Sequence, residues 1–288
     1  MNAPIAVRAP ASSANLGAGF DVFALALDLH LEAGLGDAPA GARNVDQHHP
    51  TARAFVAAGG DGEPVIWVRS PIPMGRGLGF SGAARVAGAA LGVVSGADDP
   101  RRALNASLST ILDVVAELEG HGDNAAASVF GGVVAWVEGR ALRLRLGPTI
   151  AAGTVVAWIP DVTTSTDRSR RSLADEVPRA DAVHNLGRVV QLALAFERDD
   201  PALLAGATDD RLHQPARLAS VPGADEALDA GVGAGAWCGW LSGSGPTLAL
   251  LCDAANADVV EAALPRDGRT ATLRIAPRGV HVSADPVR

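Results

Sequence analysis

At 288 residues the chain exceeds the usual size of one domain, and with 48% hydrophobic residues it can bury a sizeable core, so two lobes are expected. A net charge of -8 argues against nucleic acid as the main partner, because no basic face could neutralise a run of phosphates, and favours a small substrate. The two cysteines, Cys238 and Cys252, support neither a disulfide framework nor a zinc site and fit the reducing cytoplasm, and no uncharged run approaches the ~20 residues that cross a bilayer.

In chain order, "IAVRAPASSANLG" opens as an apolar strand and breaks into a loop, and "FDVFALALDLHLEAGLG" alternates at period two as a strand or hairpin. "PVIWVRS" is another short strand. In "PIPMGRGLGFSGAAR", Pro71 to Arg85, four glycines and a serine lead into an alanine-dense run that predicts a buried helix over Ser81 to Val94. A second helix is predicted over "RRALNASLSTILDVVAELEG", ending at Gly120. Arg140, Arg143 and Arg145 alternate along a strand and mark its exposed face. The pattern restarts with "TVVAWIP", which places a boundary near Pro148 and divides the chain into 1–148 and 149–288. A helix around Ala182 to Phe196, a loop at "HQPAR" and the glycine-rich "GVGAGAWCGWLSGSGPTLALLC" follow.

The glycine loop poses the chemical question. Such a loop feeding a helix N-terminus exposes several amides at one place, and the helix adds partial positive charge, so an anion such as phosphate can settle there. The chain has no lysine: all 24 basic residues are arginines, so a phosphate clamp must use arginine, backbone amides or a metal, and a Walker-type loop is excluded. Read alone, such a loop is more often a tight packing turn, and "SGSGPT" a hairpin or tight turn. Glu117 and Glu119 read equally as solvated residues near a helix end, and His121 as a satisfied loop or core histidine. Arg76 faces either phosphate or water.

Four motifs occur together: "PASSANLGAGFD" (Pro10 to Asp21), the glycine loop, "EGHGDN" (Glu119 to Asn124) and "SGSGPT" (Ser242 to Thr247). With "HGDNAAASVFGG", "ADAVHNLGR" and "DRLHQPAR" they resemble the GHMP kinase superfamily, and within it the homoserine kinases. The resemblance implies an α+β fold, in which an N-terminal domain of the ribosomal protein S5 domain 2 type packs on a ferredoxin-like C-terminal domain with the cleft between them. It implies that ATP phosphorylates the side-chain hydroxyl of L-homoserine to O-phospho-L-homoserine, the step ahead of threonine synthase in threonine biosynthesis, and that the chain forms a homodimer.

Residue by residue, the resemblance puts the substrate's amino group at Asn15 and Asp21. Its carboxylate goes to Arg217 and Arg170, with Arg168 and Arg171 close enough to leave that last register open. It places His121, Asp123 and Asn124 near the reacting hydroxyl. ATP's phosphates fall to Pro73, Gly75, Arg76, Gly77, Leu78, Gly79, Ser81 and Gly82, and to Ser242, Gly243, Ser244 and Gly245. Asn124 stands where some superfamily members carry an aspartate, and an amide cannot take a proton, so positioning and charge neutralisation carry the rate. For Mg2+ the resemblance implies Glu119 and a loop serine, but Phe80 occupies the serine's position. Either Glu119 with phosphates and waters holds the ion, or Ser81 turns inward, or the loop is impaired. Gly122 replaces the family's usual proline, and "HQPAR" lacks a tyrosine common before the arginine. Alternatives are a pantoate or shikimate kinase, against which Asp21 argues because those acids carry no ammonium, and a non-catalytic ligand-binding relative marked by Phe80.

Overall fold

The structure, a computed structural model, describes residues 5–62, 64–164 and 166–283. Two sheets organise it. In the first, β1 (Ala6–Ala14) and β2 (Phe23–Leu35) run antiparallel with an irregularity between Pro10 and Ala11. The period-two segment is thus one long strand. β3 (Arg43–Asn44) and β4 (Ile66–Arg69) extend this sheet beside β2, and β5 (Val133–Val137) with β6 (Arg140–Arg143) pairs with β2 from elsewhere along it. Arg140 and Arg143 are exposed at the two ends of β6, but three residues apart they do not share a strand face, and Arg145 lies beyond the strand.

The second sheet holds β7 (Thr154–Pro160), β8 (Cys238–Leu241), β9 (Leu248–Cys252) and β10 (Gly268–Arg274), all antiparallel, in the order β10-β7-β9-β8. Fourth-first-third-second is the ferredoxin-like arrangement. The change of sheet falls between β6 and β7, but the chain then returns: β11 (His281–Val282) pairs with β1 in the first sheet.

The helices are α1 (Pro50–Ala57), α2 (Phe80–Val94), α3 (Pro100–Ala106), α4 (Leu108–Glu119), α5 (Asp123–Phe130), α6 (Pro148–Ala151), α7 (Thr166–Arg171), α8 (Arg179–Arg198), α9 (Gln214–Leu218), α10 (Ala224–Gly233) and α11 (Ala257–Ala263). The helix expected to run unbroken to Gly120 divides at Ser107, whose backbone leaves the helical region at φ -114° and ψ 10°. Gly120 closes α4 in a left-handed turn, as read. One core runs through α2, α4, α5 and β1–β2 and on to the inner residues of β7, β8 and β9, while α10 and α11 cover the other face of the second sheet. Cys238 and Cys252 are buried free thiols, and burial pushes the Cys238 thiol up to about 12. Among the described residues no helix is long and apolar enough to cross a membrane.

The small residues of α2 let it lie deep in this core. A Cβ at Gly88 would fall 2.0 Å from the Thr51 carbonyl oxygen, and one at Gly92 would fall 2.5 Å from that of Phe55, so α1 and α2 touch backbone to backbone. Such contacts cannot relax by turning a side chain. Gly88→Ala should therefore lower Tm despite the ~1 kcal/mol that alanine gains in helix propensity, whereas Gly187→Ala in α8, where a Cβ meets nothing within 4 Å, should raise it. Thermal melts of the two variants check this; equal shifts would contradict the packing.

Candidate active site

The glycine loop is shaped by what it touches. A Cβ at Gly79 would lie 2.1 Å from Ser12 Oγ, and one at Gly77 would lie 2.3 Å from the Ser242 carbonyl oxygen, and both residues have positive φ. Ser12 N donates to Leu78 O at 3.3 Å, and Gly243 N donates to Ala14 O at 3.1 Å. A directional chain runs behind the loop. Ser242 Oγ donates to Gly77 O (2.6 Å), so Ser13 Oγ must donate to Ser242 Oγ (2.7 Å), and Ser13 Oγ in turn accepts from Trp240 Nε1 (2.9 Å). Gly79, the residue preceding α2, is left-handed and offers no side-chain cap, so no capping side chain claims the helix's first amides.

These amides open on a cavity of about 580 Å³. Its lining includes Asn15, Asp21, Pro73, Gly75, Arg76, Gly77, Gly79, Ser81, Gly82, Glu119, His121, Asp123, Asn124, Arg170, Arg217, Gly243 and Ser244. Leu78, Ser242 and Gly245 are buried behind it and support the loop instead of facing a ligand.

Opposite charges meet at one part of this cavity. Asp21 takes two hydrogen bonds from Arg170, both 2.8 Å. Both Asn15 (φ 73°) and Asp21 (φ 55°) are left-handed. The Asn15 side chain is consumed by holding that turn: Oδ1 accepts from Asp21 N (3.1 Å) and Nδ2 donates to Gly243 O (2.8 Å). Arg217 is buried, lies 5.1 Å from the Phe20 ring centroid, and donates to Gly243 O (3.4 Å) and His213 Nδ1 (3.2 Å). Because His213 Nε2 meets the Gly17 carbonyl at 2.9 Å, that nitrogen carries the proton and Nδ1 accepts. Burial holds the His213 pKa below its ordinary value.

"HQPAR", expected as a loop, is the helix α9 instead. Buried Asp210 accepts from the amides of His213 (2.8 Å) and Gln214 (2.6 Å), and Pro215 sits in the first turn, which together start the helix that carries Arg217. "HGDN" likewise leads into α5. Asp123 accepts from Asn124 N (2.8 Å) and holds His121 Nδ1 at 2.9 Å, a bond that raises the histidine's pKa. Asn124 Oδ1 accepts from Ser12 Oγ at 2.8 Å, leaving the NH2 as its donor end.

Arg76 lines the cavity and donates through Nη1 to the carbonyls of Pro160 and of Val162 (2.8 Å), tying the loop to the second sheet. Glu119 does not present a free metal ligand. Arg85 donates to its Oε1 at 2.8 Å and also bonds the Ser81 hydroxyl, while Phe80 packs edge-on to His49 at 6.3 Å. In this arrangement the Arg85 guanidinium stands against both the Glu119 carboxylate and the Ser81 hydroxyl, where a metal ion was expected. Arg85, Phe20, Ser12, Ser13 and His213 escaped the sequence reading. The signals were spacings of four, Ser81 with Arg85 and His213 with Arg217, which place both pairs on single helical faces.

The two histidines act oppositely with pH. For His213 the folded pKa is below the ordinary 6.5, so the unfolded chain binds more protons and stability falls as pH drops below about 6.5. For His121 the folded value is raised, so its contribution is present below 6.5 and is lost as pH rises through the folded value. Between about pH 7 and 5, His213→Gln should flatten the loss of Tm and His121→Gln should steepen it. Parallel slopes for both variants would contradict the assignment.

The model for the GHMP kinases N terminal domain matches residues 47–132, and that for GHMP kinases C terminal matches residues 192–270. The homoserine kinase of Thermus thermophilus is 38% identical, with 92% of this chain and 94% of that one covered, and that of Streptomyces avermitilis is 38% identical with 97% and 96% covered. The crystal structure of homoserine kinase from Cytophaga hutchinsonii superposes with a TM-score of 0.81 over 98% of both chains at 24% identity. Glycine loop, paired charges and ferredoxin-like sheet thus occur in a chain that belongs to the homoserine kinases of the GHMP kinase family.

Proposed function

We propose that the chain transfers the terminal phosphoryl group of ATP to the side-chain hydroxyl of L-homoserine. The observation that carries this is the meeting of Asp21, Arg170 and Arg217 in the cavity that receives the uncapped amides of α2. An amino acid bears an ammonium and a carboxylate on one carbon, and an opposite-charge set in a single cavity matches that zwitterion. Without substrate, Asp21 and Arg170 satisfy one another. With it, Asp21 receives the ammonium, and Arg170 and Arg217 receive the carboxylate, while Asn15 keeps Asp21 in its strained turn. Pantoate and shikimate would leave Asp21 unpaired.

In the transfer, the homoserine hydroxyl oxygen attacks the terminal phosphorus, the bond to the bridging oxygen breaks and ADP leaves. Asp123 spends Oδ1 on His121 and Asn124 N, which makes it the holder of that histidine, and we infer that the hydroxyl proton passes to a phosphoryl oxygen. Asn124 donates through its NH2, and His121, biased toward its charged form, adds positive charge beside the transferred group. The α2 amides bind the phosphates and the Gly77–Ser242 contact holds them rigid. GHMP kinases are ATP-dependent and generally need a divalent metal; with Glu119 Oε1 paired to Arg85, such an ion would be held chiefly by the nucleotide's phosphates and waters.

A second cavity of about 620 Å³, lined by Val45, Phe55, Val56, Ile66, Leu118, Asp46 and Gln47, shares Leu118 with the first and suits a planar base. Free buried thiols agree with a cytoplasmic site of action. Val183, Leu186, Val190 and Leu194 form an exposed stripe on α8 that supports the homodimer.

A coupled assay with ATP and homoserine, pantoate, shikimate or mevalonate tests the reading: turnover is expected with homoserine, and activity with another alcohol alone would overturn it. Arg217→Ala should raise the homoserine KM by about tenfold or more, the loss expected for a charge-assisted hydrogen bond, with the ATP KM changed by less than about twofold. An unchanged homoserine KM would contradict the assignment.

A further inference from the structure

Arg85 lies one helical turn beyond Ser81, in the wall of the cavity that receives the amides of α2. Its Nη1 donates to Glu119 Oε1 at 2.8 Å and also bonds the Ser81 hydroxyl. The Glu119 side chain is only 6% exposed, and a carboxylate so buried requires a compensating charge, which Arg85 supplies. The guanidinium has five N–H donors, and those on Nε and Nη2 have no partner among the described residues and are not sealed from solvent. Arg85 is therefore fixed at one edge and available at the other.

The surroundings sharpen its role. Phe80 brings no oxygen ligand to the loop, and among the described residues no cluster of three or more His, Cys, Asp or Glu could hold a metal. The loop's own arginine, Arg76, is drawn toward the second sheet by its Nη1 bonds to the carbonyls of Pro160 and Val162, and the chain has no lysine.

We propose that Arg85, anchored by Glu119 and Ser81, is the cation that binds the nucleotide's terminal phosphates, at the position where a protein-held magnesium ion was expected. This rests on the kinase reading above. Glu119 then serves as the anchor of Arg85 and is not a metal ligand. Nucleotide binding consequently persists without metal, and any benefit of magnesium reaches the site through the nucleotide rather than through Glu119.

Isothermal titration calorimetry of the full chain with ATP, in EDTA and then in magnesium, tests this. The wild-type chain should bind ATP in EDTA. Arg85→Ala should weaken that binding by about 10- to 100-fold and Arg85→Lys by much less, the loss corresponding to an arginine–phosphate bond. Should Arg85→Ala fail to fold with Glu119 left unpaired, the double variant Arg85→Ala, Glu119→Gln removes both charges and should show the same loss. Glu119→Gln alone loosens the anchor, so it should weaken metal-free binding by less than Arg85→Ala does and keep the full gain from magnesium. Unchanged metal-free affinity in Arg85→Ala or the double variant overturns the proposal, as does loss of the magnesium gain in Glu119→Gln. A wild-type chain that binds ATP only with magnesium overturns the role of Arg85 alone, and one that binds in neither buffer overturns the kinase reading with it.

Discussion

The site depends on a backbone contact that only glycine permits. With Gly79 against Ser12 and Gly77 against the Ser242 carbonyl, the loop before α2 is held from two sides, by the first strand of one sheet and by the turn between two strands of the other. Side chains at either position would push the loop away and carry the amides of α2 out of the cavity. The Trp240–Ser13–Ser242–Gly77 hydrogen bonds and the Arg76 clasp on Pro160 and Val162 reinforce the same contact. The union of the two sheets therefore shapes the phosphate loop and places the substrate residues opposite it, because Arg170 and Arg217 follow β7 while Asp21 and the loop precede it.

Charge is distributed along the cavity in a way that suits two anionic groups and one ammonium. Phe20 gives both substrate arginines an apolar surface, lying 5.9 Å from Arg170 and 5.1 Å from Arg217, which limits their motion without neutralising them. Asp21 is the carboxylate paired there. His121 links this region to the phosphate side, since Asp123, Glu119 and Arg170 all act on its charge. Held near the reacting groups by Asp123, it responds to what occupies either side.

Much of this was legible in the sequence, and the parts that were not have identifiable reasons. Periodicity found β1, β2, β4, α2 and α8 because each is long or strongly patterned, and left-handed Gly120 marked the end of α4. The break at Ser107 was hidden because the apolar spacing continues through it. α9 was missed because it is five residues long and starts from Asp210, a capping residue ahead of the segment that looked like a loop. The motifs identified the lining of the cavity but not the partners of its charges. That Arg76 turns to two carbonyls, that Arg170 and Asp21 close on each other, and that Arg85 reaches Glu119 are facts of three-dimensional proximity, joining residues 34 to 149 positions apart. Asn15 shows the same limit: its position was readable, but its use as the brace of a left-handed turn was not.

The account claims that one cavity holds ATP's terminal phosphates on the amides of α2 while Asp21, Arg170 and Arg217 divide the charges of homoserine. A crystal structure of the chain with a non-hydrolysable ATP analogue and L-homoserine tests this most directly. The account predicts the terminal phosphate within hydrogen-bond reach of the amides of Phe80, Ser81 and Gly82. It also predicts an opened Asp21–Arg170 pair, with the ammonium on Asp21 and the carboxylate on the two arginines. Phosphates bound away from the start of α2, or homoserine bound elsewhere with the Asp21–Arg170 pair still closed, would contradict it.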